Sequence, residues 1–531
     1  MFWRIKRAFV WLLGVVHASV HSLLQNLWTI SITHVIISPD CSREMLMQGG
    51  QTAQDGLFVY GSLDSLVPAD DRYRRLDALL DLAWVRRETR HLYSRTGRPS
   101  VDPVVIAKLL LIAYFQGITS ERELMRQVQV NLAFRRFIGY RLDEEVPDHS
   151  SLSRARYRLG QPFFRQLFEH VLRLCLDAGL VGGEHQSIDS TFVQANASLA
   201  SLRPRLVPVA AQRFTAQIFR ENPVDEEVAG GPRPPRKPAT TRNGDYVSHT
   251  DPDSGLTARK TRTARLGYLV HYSVDRLKKI VTGVRTVAAH VPDASQLVPL
   301  VDALRTKGLP VRSVAADKGY STGQVYESLH QRGILAFIPL QRKGGRGLFR
   351  QEAFRYEVAQ DQFRCPNGAA LSLRQVRQGQ RKYRPRPSDC AACPLRPRCT
   401  RGKVRTLTIS RYHAYLQEAR RLQGTAAAKR AAVARRTGPE NLFSEAKGQH
   451  GLSRARYRGL ANMEQQALLT ATVQNLKRYL QAETRVTSGA AALRAALPAL
   501  PSTLLRSFRR LSRSFLCGEH RPTVQATKLP V

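Results

Sequence analysis

Acidic side chains are scarce in this chain of 531 residues, which has 42 Asp and Glu against 82 Lys and Arg and a formal net charge of +40. An ordinary metabolic enzyme does not need a positive electrostatic field of this strength. A protein that binds a polyphosphate chain needs such a field, because each phosphate that it neutralises releases counterions. The charge therefore favours a nucleic acid as the partner, with attachment to a ribosome or to a membrane surface as the alternatives. Hydrophobic residues make up 43% of the chain, so a sizeable core can form and wholesale disorder is excluded.

Cysteine is also rare, and seven residues in 531 exclude a disulfide scaffold. This usage is typical of a reducing cytoplasm. Four of the seven form a cluster with one C-x-x-C pair, namely Cys365, Cys390, Cys393 and Cys399. Four thiolates suit a structural Zn²⁺ with tetrahedral geometry. Four reduced structural thiols are the alternative, and the spacing leaves both interpretations open.

Long apolar runs are missing apart from a short one near the start of the chain. Residues 1–46 combine a basic start with this run and imitate a signal peptide, but His17 and His21 interrupt the run and it is too short to span a membrane. Secretion fits poorly with the charge and the thiols. We interpret residues 1–46 as an extension without function, with translation starting at Met45 or Met47. We expect a cytoplasmic protein with no membrane partner.

Residues 57–180 have the pattern of a helical domain. The stretch SVDPVVIAKLLLIAYFQG is a helix that ends at Gly117, and Ser120 with Glu123 forms a capping box for a second helix directly after it. Two helices joined by a short turn with glycine are the outline of a helix-turn-helix, and also of an ordinary helical hairpin. We interpret residues 57–180 as a helical domain for DNA binding or assembly.

Residues 185–480 read as a mixed α/β core, in which three strands come first and strands then alternate with helices. The β-rich runs are 185–195, 267–275, 278–290, 311–317 and 334–339. Two segments interrupt the core: a loop over 202–262, rich in Pro, Arg and Gly, and the Cys-rich insertion over 341–410. Residues 487–531 form a basic tail.

Three acids stand out in so basic a chain. Asp189 lies inside an otherwise uncharged strand, where a carboxylate is costly unless it binds a cation. Asp317 ends a second strand and precedes a sharp turn. Each of these two could instead be an ordinary turn or capping residue. Glu440 has Arg436 four residues before it and Lys447 seven residues after it, so on an α-helix the three share one face. A surface stripe of salt bridges is the alternative for this set.

Together these stretches resemble the DDE transposases of bacterial insertion sequences. The matching segments are SIDSTFVQANAS, VAADKGYS and the series Arg436-x3-Glu440-x6-Lys447, which is most of that family's Y-x2-R-x3-E-x6-K signature. Val433 stands where this signature has its tyrosine. The departure concerns a residue expected near the DNA and does not affect the metal-binding acids. The helical stretch before residue 180 is similar to the N-terminal domain of the same group.

The resemblance implies a ribonuclease-H-like core with Asp189 on the first strand, Asp317 after the fourth and Glu440 on a late helix. The three carboxylates would hold two Mg²⁺ (or Mn²⁺) ions about 3.5–4 Å apart for phosphodiester hydrolysis and strand transfer. Glu445 is a rival for the third ligand. It lies about 140° around an α-helix from Glu440, and the spacing to the two cations favours Glu440.

The same resemblance implies double-stranded DNA as the partner, both the terminal inverted repeats and the target, and a homo-oligomer associated with the nucleoid. Arg436 and Lys447 would hold phosphates near the scissile bond, and Arg454 and Arg456 would contact the DNA backbone. Two alternatives stay open: a nuclease on the same core, and a DNA-binding protein that has lost catalysis.

Overall fold

The computed structural model describes residues 61–495 except Arg98, 206–242, 260–261, 342–346 and Gln378, and within the last helix it describes side chains only up to residue 484. The extension over 1–46 and most of the tail over 487–531 lie outside the described residues. No described helix has the length and apolarity that crossing a membrane requires.

Residues 61–177 are helical, as the sequence predicts. The helices are α1 (Leu63–Leu66), α2 (Arg72–Leu79), α3 (Ala83–Thr89), α4 (Pro103–Phe115), α5 (Glu121–Val130), α6 (Leu132–Ile138) and α7 (His149–Asp177). Asp102 caps α4 by accepting a hydrogen bond from the Val104 N–H, and Pro103 takes the first helical position.

Helix α4 is buried on almost its whole circumference and forms the centre of this region. A helix that is apolar all round belongs to a core and not to a surface that reads DNA. Of the two interpretations of α4 and α5, the structure therefore favours a packed helical hairpin.

The central sheet has six strands. They are β1 (His185–Gln194), β4 (Gly255–Arg259), β5 (Arg262–Asp275), β6 (Val281–Ala288), β7 (Ser313–Ala316) and β8 (Leu335–Phe337). Strands β1, β7 and β8 are parallel neighbours, and β5 pairs antiparallel with the other edge of β1. Both β6 and β4 pair antiparallel with β5, at its two ends. The five predicted β-rich runs are thus confirmed as strands.

Helices cover both faces of this sheet, which confirms the mixed α/β class. On one face Ile188 packs with α8 (Ala294–Thr306), α9 (Gly323–Gln331) and α12 (His413–Gln423). On the other face Val193 packs with α7, α14 (Asn441–Gln449) and α15 (Leu460–Ala495). Helix α13 (Ala426–Arg435) leads into α14 through a π-helical turn at Arg436–Glu440.

The loop predicted over 202–262 is wrong at both of its described ends. Strands β2 (Leu202–Pro204) and β3 (Tyr246–Ser248) pair with each other, and β4 follows. The physical reason is that β5 extends well beyond the predicted run, so its edge offers free backbone groups with which β4 pairs, and Leu256 is buried there.

A second, antiparallel sheet lies in the chain between β8 and α12. Its strands are β9 (Arg355–Glu357), β10 (Gln362–Arg364), β11 (Ala370–Arg377), β12 (Gln380–Arg384) and β13 (Leu407–Ser410), in the order β13-β12-β11-β10-β9. Two short helices, α10 (Pro387–Ala391) and α11 (Arg396–Cys399), connect β12 to β13. A small core of its own, built around Phe363, Leu371 and Tyr383, stabilises this sheet.

Candidate active site

The register of two parallel strands brings Asp189 and Asp317 together. Ile188 on β1 lies beside Ala316 on β7, so the next residue along each chain is an aspartate. Asp189 lies inside β1, opposite Tyr272 of β5, and its side chain is 15% exposed. Asp317 begins the turn after β7 and its Oδ1 accepts a hydrogen bond of 2.7 Å from the Gly319 N–H.

Gly319 is needed for this turn. A Cβ added at this position would lie 2.8 Å from the Asp317 Oδ1, which is closer than such atoms come. The D-K-G-Y stretch of the sequence therefore fixes the Asp317 carboxylate at the carboxyl end of the strand.

Glu440 reaches the same place from the π-helical turn between α13 and α14. Gly438 and Pro439 are buried in this turn. A π-helical turn has hydrogen bonds from residue i to residue i+5 and so brings residues five apart to the same side. In an α-helix they would be about 140° apart. Arg435 and Glu440 therefore lie side by side.

The Arg435 guanidinium joins two of the acids. Its Nη1 lies 3.0 Å from Asp189 Oδ2 and 2.8 Å from Glu440 Oε1. The sequence analysis missed Arg435, because α-helical spacing pairs Glu440 with Arg436. The Gly438-Pro439 pair, which an α-helix disfavours, is the signal that could have revealed it.

The environment of Asp189 disfavours its negative charge. The pKa of Asp189 is raised to about 6, mainly by burial and also by the neighbouring charges of Asp317 and Glu440. The Ser190 N–H, which donates to Asp189 Oδ1 over 2.8 Å, and the charge of Arg435 lower the pKa and only partly compensate. One arginine thus opposes three carboxylates, and additional positive charge at this point would be favourable.

The donor set at this point suits a hard divalent cation. Carboxylate oxygens are the ligands that Mg²⁺ and Mn²⁺ prefer, and a bound cation would offset both the burial and the neighbouring negative charges that raise the Asp189 pKa. Within the described ranges, no three Asp, Glu, His or Cys side chains yet lie close enough to hold one ion. In the present arrangement Arg435 occupies the space between Asp189 and Glu440.

Glu445, the rival third ligand, faces away from this group. Its Oε2 accepts a hydrogen bond of 2.9 Å from Arg478 on α15, and its Oε1 lies 3.5 Å from the Lys477 Nζ and 3.4 Å from the His450 Nε2. Burial raises the pKa of Glu445, but these hydrogen bonds and charges outweigh burial and lower the pKa to about 2. Glu445 therefore anchors α14 to α15.

The four arginine and lysine residues expected at the DNA occupy different environments. Arg436 and Lys447 are exposed, and burial together with nearby Arg265 lowers the pKa of Lys447. Arg454 is exposed, with its Nη2 3.3 Å from Asn196 Oδ1. Arg456 differs from these three.

The Arg456 guanidinium is used inside the protein. It donates to the carbonyls of Ile118 and His450 and lies 4.1 Å from the ring centroid of Tyr114. Arg456 therefore packs the late part of the chain against the helical region, with partners for both Nη atoms and with Nε buried. Its contact with DNA stays a prediction.

A buried polar network lies beside the acids on the opposite face of β1. The Ser190 hydroxyl donates to Asp293 Oδ1 over 2.8 Å, and the His271 Nδ1 lies 2.9 Å from the Tyr320 hydroxyl. Burial lowers the pKa of His271 to about 4 and raises that of Tyr320 well above its usual value. Asp293 makes no side-chain cap on α8 and instead supports β1 next to Asp189.

The four clustered cysteines are neighbours beside the second sheet: Cys365 follows β10, and the other three lie in or between the short helices α10 and α11. Burial raises the pKa of the Cys399 thiol, and the charges of Cys390, Cys365 and Cys393 contribute in the same direction. All four are free and partly exposed. They do not form a ready metal-binding group among the described residues, so zinc stays a prediction from the spacing.

Two parts of the described region match known families of transposase domains. Residues 61–158 match a family described as "Transposase domain (DUF772)", and residues 364–480 match one described as "Transposase DDE domain". The second range includes the cysteines, Arg435, Glu440 and Lys447. These matches confirm the resemblance to DDE transposases. No curated protein matches the chain.

Two solved structures are similar to the chain at low levels. A piggyBac transposase synaptic complex with hairpin DNA aligns with 10% identity over 86% of this chain and 84% of that chain, with a TM-score of 0.27. A Mos1 transposase paired-end complex with the left transposon end aligns with 11% identity over 46% and 61%, with a TM-score of 0.14. TM-scores this low do not establish a common fold.

The raised pKa of Asp189 predicts a gain in stability when this acid is neutralised. Its pKa of about 6 in the folded state exceeds the value of about 3.9 expected in the unfolded chain, so ionised Asp189 costs stability, and this cost disappears as the pH falls through 6 towards 4. We expect D189N to increase the free energy of unfolding by about 1–3 kcal/mol at pH 8 and by less at pH 5. Denaturant unfolding at both pH values checks this, with D143N at an exposed position as the control. A D189N protein less stable than wild type at pH 8 would contradict the electrostatic assignment.

Proposed function

We propose that this chain catalyses metal-dependent DNA cleavage and strand transfer at the terminal inverted repeats of an insertion sequence. The observation that supports this most strongly is that Asp189 and Glu440, from two separate segments, both contact the guanidinium of Arg435, while Asp317 follows the neighbouring strand β7. Both matched families are transposase domains, which supports the DNA transposase class.

The strand order supports a ribonuclease-H-like core. Along the sheet the order is β6-β5-β1-β7-β8, and β5 alone runs antiparallel to the others. This is the order of strands in ribonuclease-H-like folds. In that comparison Asp189 takes the acid position on the first strand, and Asp317 the position after the fourth.

Asp189, Asp317 and Glu440 would hold Mg²⁺ or Mn²⁺, which supplies Lewis-acid stabilisation of the attacking and leaving oxygens of an in-line displacement. Asp189 takes part only when it is ionised. Arg435 holds the Asp189 and Glu440 carboxylates together and, when a cation takes over that role, is free to donate to a phosphate oxygen. The network of Ser190, Asp293, His271 and Tyr320 fixes the strand that carries Asp189.

The exposed cations near the acids are suited to the DNA backbone. Arg436 directly follows Arg435, Lys447 lies on α14, and Arg454 follows that helix. We assign all three to phosphates flanking the scissile bond, where they give affinity without reading sequence. Synapsis of two transposon ends requires more than one copy of the chain, so we expect a homo-oligomer on DNA in the bacterial cytoplasm.

Replacing Glu440 by Gln should abolish cleavage and joining without unfolding the protein. The amide keeps an acceptor for Arg435 but loses the charge that a cation needs, a loss of several kcal/mol that corresponds to about 10³-fold in rate. The assay uses purified protein, Mg²⁺ and a duplex ending in the terminal repeat next to its own coding sequence, with cleaved and joined products measured separately.

The matched variant for this experiment is E445Q, which should lower the unfolding temperature and leave cleavage of the folded protein largely intact. Activity that survives E440Q and is lost in E445Q, at a temperature where both are folded, would overturn the assignment. Cleaved product without joined product in the wild type would favour a nuclease on the same core. DNA binding without cleavage would favour a protein that has lost catalysis.

We expect Arg435 to determine the pH at which the cleavage rate falls as the solution becomes more acidic. Because its charge lowers the pKa of Asp189, R435Q should raise that pKa further above 6, and the rate at subsaturating DNA should begin to fall at a higher pH than in the wild type. The neighbouring variant R436Q is the control: it should weaken DNA binding and leave the pH midpoint in place. An unchanged midpoint in R435Q would contradict the role given to Arg435.

A further inference from the structure

A basic cleft lies between α2, the turn joining β5 to β6, and α15, apart from the acids. Its volume is about 1040 Å³. Six cationic side chains line it, namely Arg72, Arg75, Lys278, Lys279, Lys477 and Arg478. Among the described residues that line the cleft, the acids are Asp70 and Glu445.

The acids that pair with the cationic side chains of this cleft do not neutralise all of its positive charge. Glu445 contacts both Lys477 and Arg478, and Arg75 pairs with Glu483 at 2.8 Å. Burial lowers the pKa of Lys477, and the charges of Arg72 and Arg478 lower it further against the opposing effect of Glu445. Cations this close repel one another, so a bound anion would stabilise the cleft.

The turn between β5 and β6 carries the two lysines that face solvent. Lys278 and Lys279 are exposed and have no hydrogen-bond or ion-pair partner among the described side chains. Lys279 has φ of +58°, a conformation that Gly or Asn adopts more easily.

The cleft is not part of the catalytic group. Asp189 lies opposite Tyr272, whereas the turn begins beyond Asp275, three residues further along β5 and therefore about 10 Å away along the strand. The turn lies beside the amino end of β1, where Asp275 pairs with Gln186, whereas Asp317 follows the carboxyl end of the parallel strand β7. The cleft and the acids therefore lie towards opposite ends of these strands.

We propose that this cleft is a second DNA site, which binds backbone phosphates away from the point of cleavage. The proposal rests on the proposed function for the identity of the partner as duplex DNA. No aromatic side chain lines the cleft, so it has no platform on which a base could stack, and its cations match phosphates at any sequence. The site adds affinity and orientation but no chemistry and no sequence preference.

The test compares two doubly substituted full-length proteins that lose the same charge. K278Q/K279N removes both free lysines, and Asn suits the left-handed position, so the fold should be kept. R90Q/R305Q removes two exposed arginines that do not line the cleft. Affinity for random-sequence duplex DNA is measured without divalent metal as a function of salt concentration, with thermal unfolding as the check on folding.

We expect K278Q/K279N to reduce the slope of log affinity against log salt by about 2 and to weaken binding about tenfold at physiological salt, equally for unrelated sequences. The control variant should change the slope by less than half as much. Equal slopes in the two variants would overturn the proposal. So would full displacement of the DNA by inorganic triphosphate at equal phosphate concentration, which would indicate a site for small anions. Because no metal is present, failure of this test is distinguishable from failure of the cleavage assay on E440Q.

Discussion

The contact of one guanidinium with two carboxylates is the interaction on which the account of this protein depends. Arg435 holds Asp189 and Glu440 within hydrogen-bonding distance of one nitrogen, while Asp317 adds a third negative charge beside them. Burial is the main reason why the pKa of Asp189 is raised, and the charges of Asp317 and Glu440 act in the same direction. Additional positive charge would therefore be stabilised at this site.

The surrounding structure serves to bring these groups together. Parallel pairing of β1 with β7 places the two aspartates side by side, and Gly319 gives the turn after β7 room for the Asp317 carboxylate. The π-helical turn directs Glu440 towards the strands. Glu445 forms ion pairs with Arg478 and Lys477 and so holds α14 against α15. Two acids five residues apart thus have separate tasks, one at the site and one in the packing of the helices.

Much of this arrangement was predictable from local patterns. The strands β1, β5, β6, β7 and β8 follow from apolar runs bounded by polar turns, and the positions of Asp189 and Asp317 follow from those strands. Arg435 was not predictable from α-helical spacing, because the turn after it is π-helical and shifts the register by one residue. Strand β4 forms because β5 offers it a free edge, and such tertiary pairing leaves little trace in a local pattern. Arg456 shows the same limit, since only the fold shows that both of its Nη atoms donate to carbonyls inside the protein.

The most direct test of the central claim is a titration of Mn²⁺ followed by electron paramagnetic resonance, with DNA-bound wild type and D189N compared at pH 7.5 and pH 5. We expect wild type to bind Mn²⁺ more tightly at pH 7.5 than at pH 5, because Asp189, with a pKa of about 6, must be ionised to bind it. We expect D189N to bind weakly at both pH values. Equal binding by the two proteins, with no dependence on pH, would contradict the claim that Asp189, Asp317 and Glu440 form one metal-dependent site.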